Sequence, residues 1–391
     1  MVGEAGAPEG VFTHPPIERV LYGPGRVSAL AEEAGRLGAR RVFVITGRSL
    51  ATKTGIVRRV EGLLGERHAG TYAEIGQHAP SEGVAAAVRA ARDAGADALV
   101  SVGGGSPIDA AKLVALALAE GWSDATELTA NATRAARPDP SVPIPPHVAI
   151  GTTLSAAEFT GAAGVTDERT RYKGGHRHPG MTPRVVILDP ELTLETPWGL
   201  WAASGIKALD HAVERMIVPA RTPFTDALCT EAIHLLMEHL PRSQAGVRDA
   251  VARRGQCQVA GWLSMYGFPA VSGGLSHALG HQIGAYCGVP HGVTSCITLA
   301  PVVRHIGRTA PHTLAPVARA LGVSTASPDV GEQVADQIAG LVSSLGVPTT
   351  LHEAGVTDEQ IEALVAATVH ELRGRGLASA DEIRALLRAA A

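Results

Sequence analysis

Two textures follow one another along the chain. Up to about residue 189, short apolar runs alternate with stretches whose apolar residues recur every three or four positions, the marks of buried strands and amphipathic helices. Arg41 to Thr46 (RVFVIT), Ala98 to Val102 (ALVSV), His147 to Ile150 and Arg184 to Leu188 (RVVIL) are predicted strands. Residues 26–37, 55–65, 82–95 and Pro107 to Glu120 are predicted helices. Strand–helix alternation of this kind implies a mostly parallel sheet with helices on both faces. GAAGVTD and RTRYKGG are expected to pair as a hairpin, and the proline-rich stretch within 121–145 to leave the core as a surface excursion. From Asp189 onward the strand pattern ceases. Residues 197–218, 223–240, 247–266 and 273–286 read as helices, with further helical segments after 310. The prediction is therefore an α/β protein: a Rossmann-like parallel-sheet domain over 1–189, an all-α domain over 190–391, and an active site in the cleft between them.

Composition narrows the function classes. Hydrophobic residues make up 45% and charged residues 18%, enough apolar material for a sizeable core. Lys plus Arg is 34 against 38 for Asp plus Glu, a net charge of -4 that argues against a general nucleic-acid binder. No segment approaches the ~18 uninterrupted apolar residues of a membrane helix. MVGEAGAPEGVF lacks the basic start and apolar run of a secretory signal, and the four cysteines form no CxxC pair. A cytoplasmic protein acting on a small molecule, with neither nucleic acid nor membrane as partner, is expected.

Four groups of residues could carry chemistry. Gly103, Gly104, Gly105 and Ser106 follow a predicted strand and open a helix, where unencumbered backbone N–H groups and a favourable dipole suit a phosphate; a plain tight turn would use the same glycines. At the tip of the first predicted strand, Gly47 and Arg48 stand where NAD-binding folds place a carboxylate for the ribose hydroxyls. Arg48 could instead pair with a 2′-phosphate, or be an ordinary solvated arginine, so NAD(H) and NADP(H) both stay open. His277 and His281, i and i+4 in SHALGH, share a helix face, with His291 close behind; His211 lies four residues after Lys207. Several imidazoles at such spacing suit a metal or acid–base site, but a lysine ammonium would repel a divalent cation. Finally, Arg171, Lys173, His176, Arg177, His178 and Arg184 form a basic run around the hairpin: a solvated face, or a receiver for an anionic substrate if it lines the cleft.

From Tyr22-Gly23-Pro24-Gly25 to the C-terminus, the chain resembles the iron-containing alcohol dehydrogenase superfamily, whose fold is similar to that of dehydroquinate synthase. Five segments carry the resemblance in order: GGGSPIDAAK, TTLSAAEFT, RVVILDPELT, SGIKALDHAVE and GGLSHALGHQIGAYCGVPHG. It implies pyrophosphate binding at Gly103 to Ser106 with Asp109, and a cofactor loop containing Thr152, Thr153 and Ser155. The family's metal ligands are an aspartate and three histidines; the histidines match His211, His277 and His291, while Lys207 occupies the aspartate's position. His281 matches a family histidine near the nicotinamide. Maleylacetate reductases also lack the aspartate, carry asparagine there and are thought to work without metal, and their TTYAGSEMT is similar in spacing to TTLSAAEFT. Gly151 for a proline, Ala157 for a serine, and Lys207 itself depart from that subfamily.

The resemblance implies a metal-independent NAD(P)H-dependent reductase acting on a carbonyl or activated alkene, with Lys207 in place of the cation. His211, His277, His281 and His291 would orient substrate or relay a proton. Lys173, His176 and Arg177 would receive the carboxylates of a small anionic substrate such as maleylacetate. A salt bridge to Asp210 or Glu214 is the plainer role for Lys207. An iron- or zinc-dependent alcohol dehydrogenase using the three histidines is one alternative, and a non-redox lyase, isomerase or Schiff-base enzyme another. Relatives are commonly homodimers.

Overall fold

A computed structural model describes residues 11–132, 142–169, 172–219, 221–267, 274–373 and 375–391, excepting the side chains of Tyr172 and Lys173. Six strands form one sheet: β1 (Arg19–Tyr22), β2 (Val42–Ile45), β3 (His68–Tyr72), β4 (Ala98–Gly103), β5 (His147–Gly151) and, after a hairpin, β8 (Val185–Leu188). Their spatial order is β1-β8-β5-β4-β2-β3, and every neighbouring pair is parallel. The hairpin is β6 (Ala162–Asp167) with β7 (Tyr172–Arg177), antiparallel.

The sheet is buried on both faces, as parallel sheets are. Alternation along the strands makes two cores. Val42, Val44, Val100 and Val102 pack toward Val27, Leu30, Ile56 and Val60. Phe43, Ile45 and Leu99 face Val84, Val88, Leu113 and Leu116. The four predicted sheet strands are all present. The two that sequence patterning missed, β1 and β3, are the sheet's edges: RVLY and HAGTY are only partly buried, so neither carries a continuous apolar run.

Among the described residues, every regular element after β8 is helical. Five helices matter for the site: α1 (Gly105–Glu120), α2 (Trp198–Ile217), α3 (Leu275–Cys287), α4 (His291–Thr309) and α5 (Asp358–Glu371). The sequence pattern did not predict α4, which opens on His291-Gly292 and carries Pro301 within it. The helix expected over 26–37 begins as a 3-10 turn, Arg26–Ala29, before turning α-helical at Leu30. Ahead of the proline-rich stretch, Ala125–Ala130 is a short helix closed by an Asp124–Glu127 capping box, and residues 133–141, which include the first part of that stretch, lie outside the described residues. No described helix is long and apolar enough to cross a membrane.

Candidate functional site

A cleft of about 2390 Å³ runs from the carboxyl ends of β2, β4 and β5 to the histidines of α2, α3 and α4. Open parallel sheets bind ligands at this end of their strands. Gly47, Arg48, Gly103, Gly104, Gly105, Ser106, Asp109, Thr152, Thr153, Ser155, His176, Arg177, Lys207, His211, His277, His281 and His291 all line it. Folding thus collects one continuous surface from segments scattered over most of the chain.

At the strand end, Gly103 adopts φ 141°, and an added Cβ would stand 3.0 Å from Pro107 Cγ. A Cβ on Gly104 would meet Thr153 at 3.1 Å. The two loops therefore approach each other only because these side chains are missing, leaving bare backbone at the N-terminus of the sixteen-residue α1. Thr152 N–H donates to Gly103 O across the gap (2.9 Å). Ser155 Oγ is buried there with no hydrogen-bond partner among the described atoms, a polar atom facing a cradle without a bound group of its own. Ser106 Oγ already accepts from His78 N–H (2.9 Å). Asp109 is tied to Lys112 Nζ (3.3 Å) and weakly to Gly164 N–H (3.4 Å), so it braces the cradle as well as lining it. A phosphate-bearing dinucleotide fits this donor set.

Lys112, quoted within GGGSPIDAAK but given no role from sequence, proves central. It is fully buried, and its ammonium also donates to Ala157 O (2.6 Å) and Ala162 O (2.8 Å), fastening α1 to the Thr152–Thr160 loop and to the hairpin. Beside it, burial pushes Glu158 up to about 7, outweighing the pull of Lys112. A carboxyl group raised in the fold stabilises below its unfolded value near 4.5, and that stability is lost as pH rises toward 7. Glu158→Gln should therefore gain on the wild type by about 2–3 kcal/mol between pH 4.5 and 7.5. Urea melts at the two pH values measure the difference, and a constant gap would mean Glu158 is ionised throughout.

The basic run around the hairpin does not act as a unit. His176 is buried, donates through Nε2 to Leu128 O (2.8 Å) and faces the Trp122 ring, so it is committed to packing rather than to substrate. His178 accepts from Gly180 N–H, and Arg184 pairs with Glu18. Arg177 lines the cleft half-buried, its basicity reduced by burial. Arg171 and the Lys173 side chain lie outside the described residues. The hairpin joins α1 through Lys112 and Asp109, which sets it beside the glycine cradle. Of the described members of the run, His176, Arg177 and His178 line the cleft; the two histidines are engaged with Leu128 O and Gly180 N–H, while Arg177 is the guanidinium there.

In the helical half, α2 presents Lys207, Asp210, His211 and Glu214 at positions three and four apart. Lys207 Nζ donates to Asp210 Oδ2 (3.0 Å) and to His277 Nδ1 (2.9 Å), and Ser295 Oγ donates to the same carboxylate oxygen (2.6 Å). Glu214 accepts from the N–H groups of Gly274 (2.9 Å), Ser276 (2.7 Å) and His277 (3.3 Å), pinning the start of α3; burial and Asp210 push it up to about 8 against those donors. Burial first, and then the Lys207 charge, hold His211 and His277 neutral, well below the usual imidazole range. His281 Nδ1 lies 3.0 Å from Glu371 Oε1 at the end of α5, and Gln282 donates to the other oxygen (2.5 Å). The rings of His277 and His281 are 4.3 Å apart, and His291 is 5.4 Å from His277.

The salt bridge given as the plainer role for Lys207 is therefore present, to Asp210. An ammonium has three protons. With two directed at Asp210 and His277, the third has no partner among the described residues and is available to a group in the cleft. Asp210 and Glu214 share the helix face of Lys207 and were named from the sequence as its possible salt-bridge partners. Glu371 and Ser295 gave no signal, being brought in from distant segments.

The iron implied by the resemblance does not fit its four-ligand set here. Lys207 stands at the aspartate's place, and His211 is not in the close group formed by His277, His281 and His291, whose donor atoms lie within 4.8 Å of one another. When a lysine ammonium donates to His277 Nδ1, the neutral ring carries its proton on Nε2 and has no lone pair left for a metal.

These features define a dinucleotide-type α/β half facing a helical half across a polar, histidine-lined cleft, the architecture of an oxidoreductase. The family model described as iron-containing alcohol dehydrogenase matches residues 16–190, and that described as Fe-containing alcohol dehydrogenase family, C-terminal, matches 201–391. The chain belongs to the iron-containing alcohol dehydrogenase family. It is 32% identical over 352 residues to a maleylacetate reductase of Pseudomonas sp. (strain P51), covering 90% of this chain and 89% of that one. It is 30% identical over 365 residues to the lactaldehyde reductase of Escherichia coli (strain K12), with 91% and 92% covered. The crystal structure of maleylacetate reductase from Rhizobium sp. strain MTP-10005 superposes with a TM-score of 0.79 at 29% identity, covering 98% of each chain.

Proposed function

We propose that this oxidoreductase is a metal-independent NAD(P)H-dependent reductase of a small anionic substrate, maleylacetate being the first candidate. The observation that carries this is the Lys207 ammonium, held by Asp210 and His277 inside the histidine cluster with one proton left for the cleft. Gly103 to Ser106, Thr152, Thr153 and Ser155 would hold the dinucleotide, which when bound supplies a hydride. Reducing a carbonyl, or an alkene conjugated to one, leaves negative charge on oxygen and requires a proton. Lys207 meets both needs: its charge stabilises the oxyanion and its free N–H is the proton to be transferred. Asp210, fixed by Ser295, keeps the ammonium aimed. His281, oriented by Glu371, faces His277 and completes a polar wall that can orient substrate. The relatives named maleylacetate reductase support the substrate, and Arg177 together with Lys207 supports its negative charge.

Oxidation of NADH and NADPH with maleylacetate, using protein whose metal content has been assayed and then stripped by chelator, is the direct test. Turnover independent of metal is expected. Silence with both cofactors would remove maleylacetate.

A second reading, a metal-dependent alcohol dehydrogenase, draws on the His277, His281 and His291 trio, a donor number that suits a zinc-like catalytic site once Lys207 swings aside and frees His277. Lys207 decides between the two. Lys207→Asp restores the family's carboxylate and removes the opposing charge, so zinc or iron affinity should rise by at least about 100-fold over the wild type. Competition with a chromophoric chelator reports it. Stoichiometric tight metal in the wild type, with no gain in the variant, would move the assignment to the metal enzyme.

A further inference from the structure

Arg48 and Glu74 stand on the crest of the sheet, at the far end of the cleft from the histidines. Thr46 N–H donates to Tyr72 O (2.9 Å) and Ile75 N–H to Thr46 O (3.2 Å), which carries the pairing of β2 and β3 past their ends and sets the two side chains next to each other. Arg48 Nε (2.6 Å) and Nη2 (2.5 Å) both contact Glu74 Oε2. Among the described residues neither contact uses Oε1, and the Arg48 Nη1 donors have no partner. Each partner thus has hydrogen-bonding capacity in reserve while paired. Both line the same cleft as Gly103 to Gly105.

The strand tip itself offers no carboxylate. Gly47 has no side chain, and a Cβ there would come within 3.2 Å of Ile75 O. Dinucleotide folds place an acid beside the ribose hydroxyls, and the carboxylate that lines the cleft beside this strand tip is Glu74, after the neighbouring edge strand. It comes already coupled to a cation suited to a phosphate.

We propose that Glu74 and Arg48 form a two-sided reader of the adenosine ribose: Glu74 accepts from the 2′-hydroxyl of NADH, Arg48 binds the 2′-phosphate of NADPH, and the chain uses both cofactors. The pair is solvent-exposed, with side chains 75% and 48% accessible, so water screens it and it opens at little cost when a 2′-phosphate competes for Arg48. Glu74 would repel that phosphate and Arg48 offsets the repulsion, which keeps the two affinities close. The proposal rests on the dinucleotide reading of the cleft.

Equilibrium binding, followed by the fluorescence of NADH and NADPH with no substrate present, tests it without reference to turnover. The wild-type Kd values should lie within about tenfold of each other. Glu74→Gln should shift their ratio toward NADPH by about tenfold or more, and Arg48→Gln toward NADH by about the same factor, in line with placing or removing one like charge beside a phosphate. Both shifts should shrink as salt is raised. A wild-type preference above about 100-fold, or a ratio that neither variant moves, overturns the two-sided reader while leaving the dinucleotide site standing. A wild type that binds neither cofactor overturns the dinucleotide reading itself. Both side chains lie at the surface, so neither substitution endangers the fold.

Discussion

Lys207→Met should lower kcat by about 100- to 1000-fold while leaving the Kd for NADH or NADPH within about threefold of wild type, the loss typical when one donor to a developing oxyanion is removed. Methionine keeps most of the stem's volume but neither the charge nor the proton. The substitution also has a structural cost that must be separated from the chemical one. Asp210 is fully buried, and without Lys207 its carboxylate keeps only Ser295 as a described donor. An abandoned buried charge of this kind costs about 3–5 kcal/mol. The double variant Lys207→Met with Asp210→Asn removes both charges and should recover most of that stability without recovering turnover. Stopped-flow reduction together with urea melts of the three proteins decides the matter. Turnover in the double variant close to wild type would confine Lys207 to a structural ion pair.

The sequence exposed the parts of this arrangement that are local and hid those that depend on assembly. Interior strands such as β4 are apolar throughout and stand out in the sequence; β1 and β3 lie at edges, half solvated, and do not. His277 and His281 announce themselves by helical spacing, and the glycines of the cradle by their position between strand and helix. Lys207 was visible as a departure from a family motif. What it touches depended on where α3 comes to rest, and that is set by the Glu214 carboxylate closing on three backbone N–H groups of a segment sixty residues away. The basic run misled for a related reason. His176, Arg177 and His178 do reach the cleft, but the two histidines are taken up by backbone partners and Arg184 by Glu18, so neighbours in the chain do not act as one receptor. Charges that cooperate here, Arg48 with Glu74 and Lys207 with Asp210, follow contacts between elements or along a helix face.

Lys112→Met is expected to cost about 3–5 kcal/mol of folding stability, the range for removing one partner from a buried charged network, and to weaken NADH and NADPH binding together. The ammonium spans three segments: Asp109 on its own helix, Ala157 O and Thr160 Oγ1 in the Thr152–Thr160 loop (2.6 and 3.3 Å), and Ala162 O at the start of the hairpin (2.8 Å). Methionine can fill the space yet leaves those carbonyls buried without their donor. Two opposing changes follow. The loop loses its fastening to α1, which lets Ser155 and Ala157 move away from Gly105 and opens the glycine cradle. Glu158, relieved of a nearby cation, becomes still easier to protonate. Coupling between cradle and stability then has a particular signature: because ligand binding stabilises the folded form, the same concentration of NADPH should raise the stability of the wild type more than that of the variant. Thermal melts with and without cofactor read this directly. Equal cofactor-induced shifts in the two proteins, with the stability loss intact, would make Lys112 a packing cation alone; a shift that falls with the affinity would make it the residue that shapes the site from beneath.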